Sequence, residues 1–319
     1  PPPPPPPPPP FFFQPQDGIR HFCLSRGLGD VYKRQVMDSA KLIALLYESN
    51  GIVDWNNAFS NYNHPFDYVA SKNSSLPFIA VSTTSGTGSQ CTQAAVVSDT
   101  KNKEKITLFH RDLFPKVAII DPKLMLSVPS RITAATGFDA FTHAFESYLG
   151  KRTSPLTEYL SLETIRLVVE YLPKAIQKPD SIEYRTKLAW ADTAAGICLS
   201  NGGADLPHPL GEIIGGICQR IAHGETLAIV YPAFLEYKEK IATEKFRNIA
   251  SYLGIEKTPK ALTNEVIGLL KTTDLIRSKS RAAITLNEQE EILSHPLLKK
   301  LDPKNSEKIL SIMSQSIEE

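Results

Sequence analysis

Gly137-Phe138-Asp139-Ala140-Phe141-Thr142-His143 is the stretch that organises this chain. It lies in a run that Gly150 stops, and Phe138, Phe141, Phe145 and Tyr148 carry the apolar period of a helix. Asp139 and His143 stand four residues apart, so both side chains leave from one face and can grip one cation. Two later histidines, His208 and His223, bring the set to one carboxylate and three imidazoles. That donor chemistry suits a borderline divalent metal such as Fe²⁺ or Zn²⁺. Taken singly, each element has a plainer reading. An Asp-x-x-x-His pair serves as a surface or capping pair, and His208, before Pro209, serves as a turn residue.

Composition excludes several classes. Apolar residues at 42%, charged residues at 22% and a net charge of +1 describe a globular chain with no electrostatic case for nucleic acid or an anionic membrane. No apolar run approaches the roughly 18 residues that a spanning helix needs. Cys23, Cys91, Cys198 and Cys218 show no paired spacing and read as buried or free thiols of a reducing cytoplasm.

The first 35 residues read as a leader foreign to the rest. Ten prolines lack the amide hydrogens of a helix or central strand and favour a polyproline rod, a shape that proline-binding modules also recognise. Ser25-Arg26-Gly27-Leu28-Gly29-Asp30-Val31-Tyr32-Lys33-Arg34-Gln35 resembles translated adaptor sequence. Residues 1–35 are therefore expected to be disordered and artefactual, with fold reasoning starting at Val36.

From there the chain divides in two. Residues 36–126 read as α/β. A helix covers Asp38 to Tyr47 and stops at Asn50-Gly51, and a loop runs from Asn56 to Ser75. A buried strand, Pro77 to Val81, leads into the turn Ser82 to Ser89. Further strands are expected at Ala94–Val97, Ile106–Phe109 and Val117–Ile120. Residues 127–319 read as all-helical, with one helix closed by Pro173, a second from about Tyr184 to Leu199, and more after Tyr231.

Thr83-Thr84-Ser85-Gly86-Thr87-Gly88-Ser89, Asp121-Pro122, Gly137 to Glu146 and His223-Gly224 together resemble the iron-containing (group III) alcohol dehydrogenases, over roughly Val36 to Tyr231. The resemblance implies a Rossmann-like N-terminal domain, partial here, a helical metal domain of the dehydroquinate synthase-like architecture, and a cleft between them. It places metal ligands at Asp139, His143, His208 and His223, with Fe²⁺ favoured over Zn²⁺, and NAD or NADP as hydride carrier. The cofactor would lie beside Asp38 and the turn bearing Thr83, Thr84, Thr87, Gly88 and Ser89. The Lys33-Arg34-Gln35 segment stands where the family's glycine triplet belongs, so cofactor binding is expected to be crippled. Lys105 matches a family lysine near the nicotinamide ribose, although its basic run with Lys101 and Lys103 favours a solvated face. Glu212 stands where many members carry a second histidine near the substrate, as a candidate proton relay or a partner of a ligand. His64, His110 and His295 are left as structural. The implied partner is a small alcohol or aldehyde, and the implied state a cytoplasmic homodimer. Rival readings are a glycerol dehydrogenase-like or dehydroquinate synthase-like metalloenzyme, or an inactive truncated product.

Overall fold

The computed structural model describes residues 30–47, 54–67 and 75–318. The polyproline segment, Cys23 and the Asn50-Gly51 helix stop lie outside them. The first described element, α1 (Asp30–Leu46), begins ahead of Val36, so Asp30 to Gln35 are helical rather than part of an unstructured leader. No glycine or proline interrupts Asp30–Leu46, and an aspartate at a helix start favours that boundary.

Helix α2 (Trp55–Asn61) occupies a segment expected to be loop. Two local features override its polar composition. Asp54 caps the helix by accepting from the Asn57 amide at 3.1 Å, and Trp55 packs on Phe59 one turn later. Strands β1 (Ile79–Ser82) and β4 (Val117–Ile120) pair in parallel, Ile79 opposite Val117 and Ser82 opposite Ile120. Between them β2 (Ala94–Asp99) and β3 (Glu104–Phe109) form an antiparallel hairpin. Leu42 and Leu45 of α1 pack with Ala95, Val97 and Leu108 of the hairpin into one small core. The Lys41 ammonium, fully buried, donates to the Thr92 and Ala94 carbonyls at 2.9 and 2.8 Å.

The parallel pair departs from expectation on burial. Ile79, Val81, Val117 and Ile119 alternate with buried or half-buried neighbours and are 43–62% exposed. Parallel strands normally carry cover on both faces, and among the described residues only one face of this pair has it.

Every regular element beyond Ser130 is helical. Helix α3 (Ser130–Leu149) is central and packs on α4 (Pro155–Gln177), α5 (Ile182–Gly202) and α7 (His223–Ile241). Thr133 to Tyr148 are buried on all sides, as expected for a helix inside a bundle rather than at its surface. Phe138, Phe141 and Phe145 stack along it at 5.3–5.6 Å, and Phe138 and Phe141 meet Tyr231 of α7 edge-on. Helix α4 continues past Pro173 instead of ending there. The proline falls in the closing turns, where one missing amide disturbs little that follows. Helix α6 (Pro207–Ile217) lies between α5 and α7 in sequence and packs on α7 and β3. Six shorter helices, α8 (Thr243–Tyr252), α9 (Pro259–Thr272), α10 (Ser278–Ala282), α11 (Leu286–Leu293), α12 (Leu297–Leu301) and α13 (Ser306–Ile317), close the bundle.

Candidate metal centre and adjoining cavity

Three helices deliver the four expected ligands: α3 carries Asp139 and His143, α6 carries His208 in its first turn, and α7 opens with His223. Their convergence depends on a close crossing of α3 and α7. An ideal Cβ on Gly224 would stand 2.0 Å from the Ala135 carbonyl oxygen, so only glycine lets the two backbones meet there. Ala135 lies one turn before Asp139, and Gly224 directly follows His223, so the contact sets the spacing of two ligands. Glu225 locks the same crossing. Its carboxylate takes a two-pronged bond from the Arg131 guanidinium of α3, at 2.9 and 2.8 Å.

Asp139 Oδ1 lies 3.4 Å from His143 Nε2, 3.7 Å from His208 Nε2 and 3.6 Å from His223 Nε2. Direct N–H···O bonds would draw these pairs to about 2.9 Å. Two ligands of one ion, with bonds of about 2.0–2.2 Å and angles of about 90–120°, stand about 2.8–3.8 Å apart. The observed spacings fall in that window, and all four side chains are buried. Ligand atoms of Asp139, His208 and His223 lie within 4.8 Å of one another. His143 falls outside this mutual spacing, with Nε2 3.4 Å from Asp139 Oδ1 and its ring stacked on that of His208 at 4.7 Å. The donor set and its spacing fit a divalent cation.

Glu146, one turn beyond His143 on α3, was assigned no task by the sequence. Its Oε2 accepts from His208 Nδ1 and from the Asp205 amide, both at 2.8 Å. Burial pushes the Glu146 carboxyl up. Burial alone would depress His208, but the Glu146 and Asp139 carboxylates hold it up to about 10.

The turn from Thr83 to Ser89 does not present its backbone as expected. The Gly86 and Gly88 amides both donate to Asp192 Oδ1 of α5 at 2.7 Å, and Gln90 donates to Asp192 Oδ2 at 2.8 Å. Two amides that could have met a nucleotide thus satisfy a buried carboxylate instead. Asp38 and Ser89 are likewise turned inward: the Ser89 hydroxyl donates to Asp38 Oδ1 at 2.7 Å, and the Val96 amide to Oδ2 at 2.8 Å. Thr84 is buried, whereas Thr83 is exposed and Thr87 half-buried. Within the turn, the outward-facing part of the expected cofactor set reduces to these last two threonines.

Lys105 is half-buried, contrary to the solvated-face reading. Its ammonium lies against α6 where Gly215 has no Cβ, since one built there would stand 2.7 Å from Nζ. Lys105 and Glu212 line one cavity of about 280 Å³ together with Thr107, His295 and Lys300. The Thr107 hydroxyl donates to Glu212 at 3.4 Å. Glu212 follows His208 by one helical turn on α6, while none of the four expected ligands lines the cavity itself. His295, left as structural, belongs to its wall and also accepts from the Leu297 amide. His64 and His110 accept local backbone amides, in keeping with structural roles. Cys91, Cys198 and Cys218 are free, and burial pushes the Cys91 and Cys218 thiols up to about 11. No described helix is long and apolar enough to cross a membrane.

Two family models match: iron-containing alcohol dehydrogenase over residues 35–122, and the C-terminal domain of the Fe-containing alcohol dehydrogenase family over residues 133–314. The chain belongs to the iron-containing alcohol dehydrogenase family. Among curated relatives, it is 34% identical over 217 residues to the NAD-dependent methanol dehydrogenase of Bacillus methanolicus, covering 68% of this chain and 54% of that protein. It is 36% identical over 218 residues to long-chain-alcohol dehydrogenase 1 of Geobacillus thermodenitrificans, covering 68% and 53%. The chain spans about half the length of the curated relatives it matches. An archaeal halo-thermophilic alcohol dehydrogenase from a Red Sea brine pool shares the fold with a TM-score of 0.76 and 28% identity, over 88% of this chain and 74% of that one. The family's architecture, a Rossmann-like domain followed by a helical one, accounts for the division seen here, with only part of the α/β unit among the described residues.

Proposed function

We propose that this chain carries the metal centre of an NAD(P)-linked alcohol dehydrogenase acting on a small alcohol or aldehyde. The observation that carries the reading is the fan of three imidazole Nε2 atoms around Asp139 Oδ1 at 3.4–3.7 Å. Asp139, His143, His208 and His223 would hold the ion, Fe²⁺ first and Zn²⁺ next. A divalent cation there supplies Lewis acidity toward an alcohol or carbonyl oxygen, and a nicotinamide supplies the hydride acceptor.

The chain's own residues do the rest. The stacked phenylalanines of α3 keep water from the far side of the ligand helix. Glu212, one helical turn after His208, lines the cavity and holds a carboxylate within hydrogen-bond reach of the Thr107 hydroxyl, a candidate route for the alcohol proton. Lys105, in the same wall, offers a positive charge to a cofactor or substrate oxygen. Thr83 and Thr87 are the residues of the turn best placed for the dinucleotide, with Gly88, Ser89, Thr84 and Asp38 shaping it from within. The reading includes a homodimer, supported by the family resemblance, and a reducing cytoplasm, in keeping with the free thiols.

The test is elemental analysis and Zn²⁺ or Co²⁺ titration of the purified chain, with Asp139→Ala and His223→Ala alongside. One divalent ion per chain is expected, lost in both variants. Equal metal content in wild type and variants would overturn the assignment. Calorimetric titration of NAD and NADP then examines the cofactor half, where weak binding is expected because the Gly86 and Gly88 amides serve Asp192.

A further inference from the structure

We propose that Glu146 is the positioning residue of the metal centre, presenting His208 Nε2 toward Asp139 and tying that imidazole to the loop between α5 and α6. The inference rests on the metal reading above. Glu146 follows Asp139 by seven positions, which at about 100° per residue returns it to nearly the same stripe of α3, two turns further on. Its side chain is fully buried, and among the described residues its ion-pair partner is His208.

A buried carboxylate is costly unless hydrogen-bonded, and Glu146 is bonded in a way that serves one purpose. Oε2 accepts from His208 Nδ1 and from the Asp205 amide at 2.8 Å each. With Nδ1–H directed to a carboxylate, an ion that displaces the other ring proton would meet the imidazole lone pair on Nε2, the atom that faces Asp139. The Asp205 contact fixes the loop that delivers His208, only three residues before it. The next residue on α3 grips the same loop: the Ser147 hydroxyl donates to the Gly203 carbonyl at 2.9 Å. One helix end therefore sets both the rotation of the ring and the position of its backbone. Tyr231 borders the other carboxylate oxygen, its hydroxyl at 3.5 Å.

A purely structural reading would have Glu146 serve only the loop amide. Glu146→Gln keeps the reach and removes the charge, and Glu146→Asp keeps the charge and shortens the reach, so either variant tests the proposal if the other fails to fold. Lys238→Met is the control. It releases the Asp205 side chain from its ion pair with Lys238 while leaving Glu146 untouched. The readouts are Co²⁺ and Zn²⁺ affinity by chelator competition, the visible absorption of the Co²⁺ form, and melting of the metal-free chain. Both Glu146 variants are expected to bind metal about 10–100-fold more weakly, with a shifted Co²⁺ band, while Lys238→Met binds as the wild type does. Unchanged affinity and spectrum in a folded Glu146 variant overturn the proposal. Equal losses in Lys238→Met overturn it too, because the effect then belongs to the loop as a whole. A wild-type chain that binds neither ion overturns the metal reading itself, and this inference with it.

Discussion

Replacing Gly224 with alanine tests whether the helix crossing, rather than the ligands alone, makes the centre. The added Cβ would stand 2.0 Å from the Ala135 carbonyl oxygen, 2.6 Å from its carbon and 2.9 Å from its Cα. All three are backbone atoms of α3, so no side chain can swing aside. Ordinary C···O contact begins at about 3.3 Å, so α3 and α7 must separate or slide by about 1.3 Å. Overpacking of this kind costs about 1–3 kcal/mol, and the better helix propensity of alanine returns up to about 1 kcal/mol. The net loss of up to about 3 kcal/mol corresponds to a fall in melting temperature of up to about 12 °C. His223 moves with α7, and its 3.6 Å separation from Asp139 would stretch toward 5 Å, roughly 1 Å beyond the about 3.8 Å that two bonds of about 2.2 Å span at an angle of about 120°. Calorimetric melting of the metal-free chain and Co²⁺ titration read the two effects separately. A variant that melts within about 1 °C of wild type and binds Co²⁺ equally well would refute the crossing argument.

Asp192→Ala should destabilise by about 2–4 kcal/mol, because it leaves the buried Gly86 and Gly88 amides without their carboxylate; equal urea midpoints for variant and wild type would contradict this. Glu288 is held down to about 2, chiefly by its Arg220 hydrogen bonds, from an ordinary value of 4.5. Its contribution is therefore complete above about pH 4.5 and lost as pH falls toward 2. For this partly exposed pair we expect about 0.5–1 kcal/mol. The melting difference between wild type and Glu288→Gln should thus shrink between pH 6 and pH 2.5, and a difference that grows on acidification would reverse the sign. Lys105→Met should leave metal content unchanged while weakening dinucleotide or substrate binding at the cavity, measured by calorimetry; a parallel loss of metal would place Lys105 in the centre itself.

What the sequence disclosed follows from how far apart the interacting residues lie. Asp139 and His143 share a helix face, so a four-residue spacing is enough to pair them. The strand at Val117–Ile120 and the hairpin strands are local runs of β-branched and apolar residues, and the structure places them where the runs are. His208 and His223 lie 65 and more positions downstream of His143, and only the resemblance joined them to it. Contacts of similar range with no motif behind them stayed hidden. Glu146 meets His208 across 62 positions, and Asp192 meets Gly86 across 106. Neither pairing leaves a periodicity, because each is made by one side chain reaching from one helix to a neighbouring element.

The misread segments have the same origin. Lys105 looks solvated within its basic run, but it is half-buried with its ammonium against Gly215, on a helix more than a hundred residues away. The Thr83–Ser89 turn has the glycines and hydroxyls of a nucleotide loop, but a turn rich in free amides also suits a buried carboxylate, and composition does not distinguish the two. Asp192 decides between them by sitting on the inner side of the turn. A site assembled from several helices is legible in sequence only at the positions that share an element. The residues that orient those positions become visible once the elements are packed.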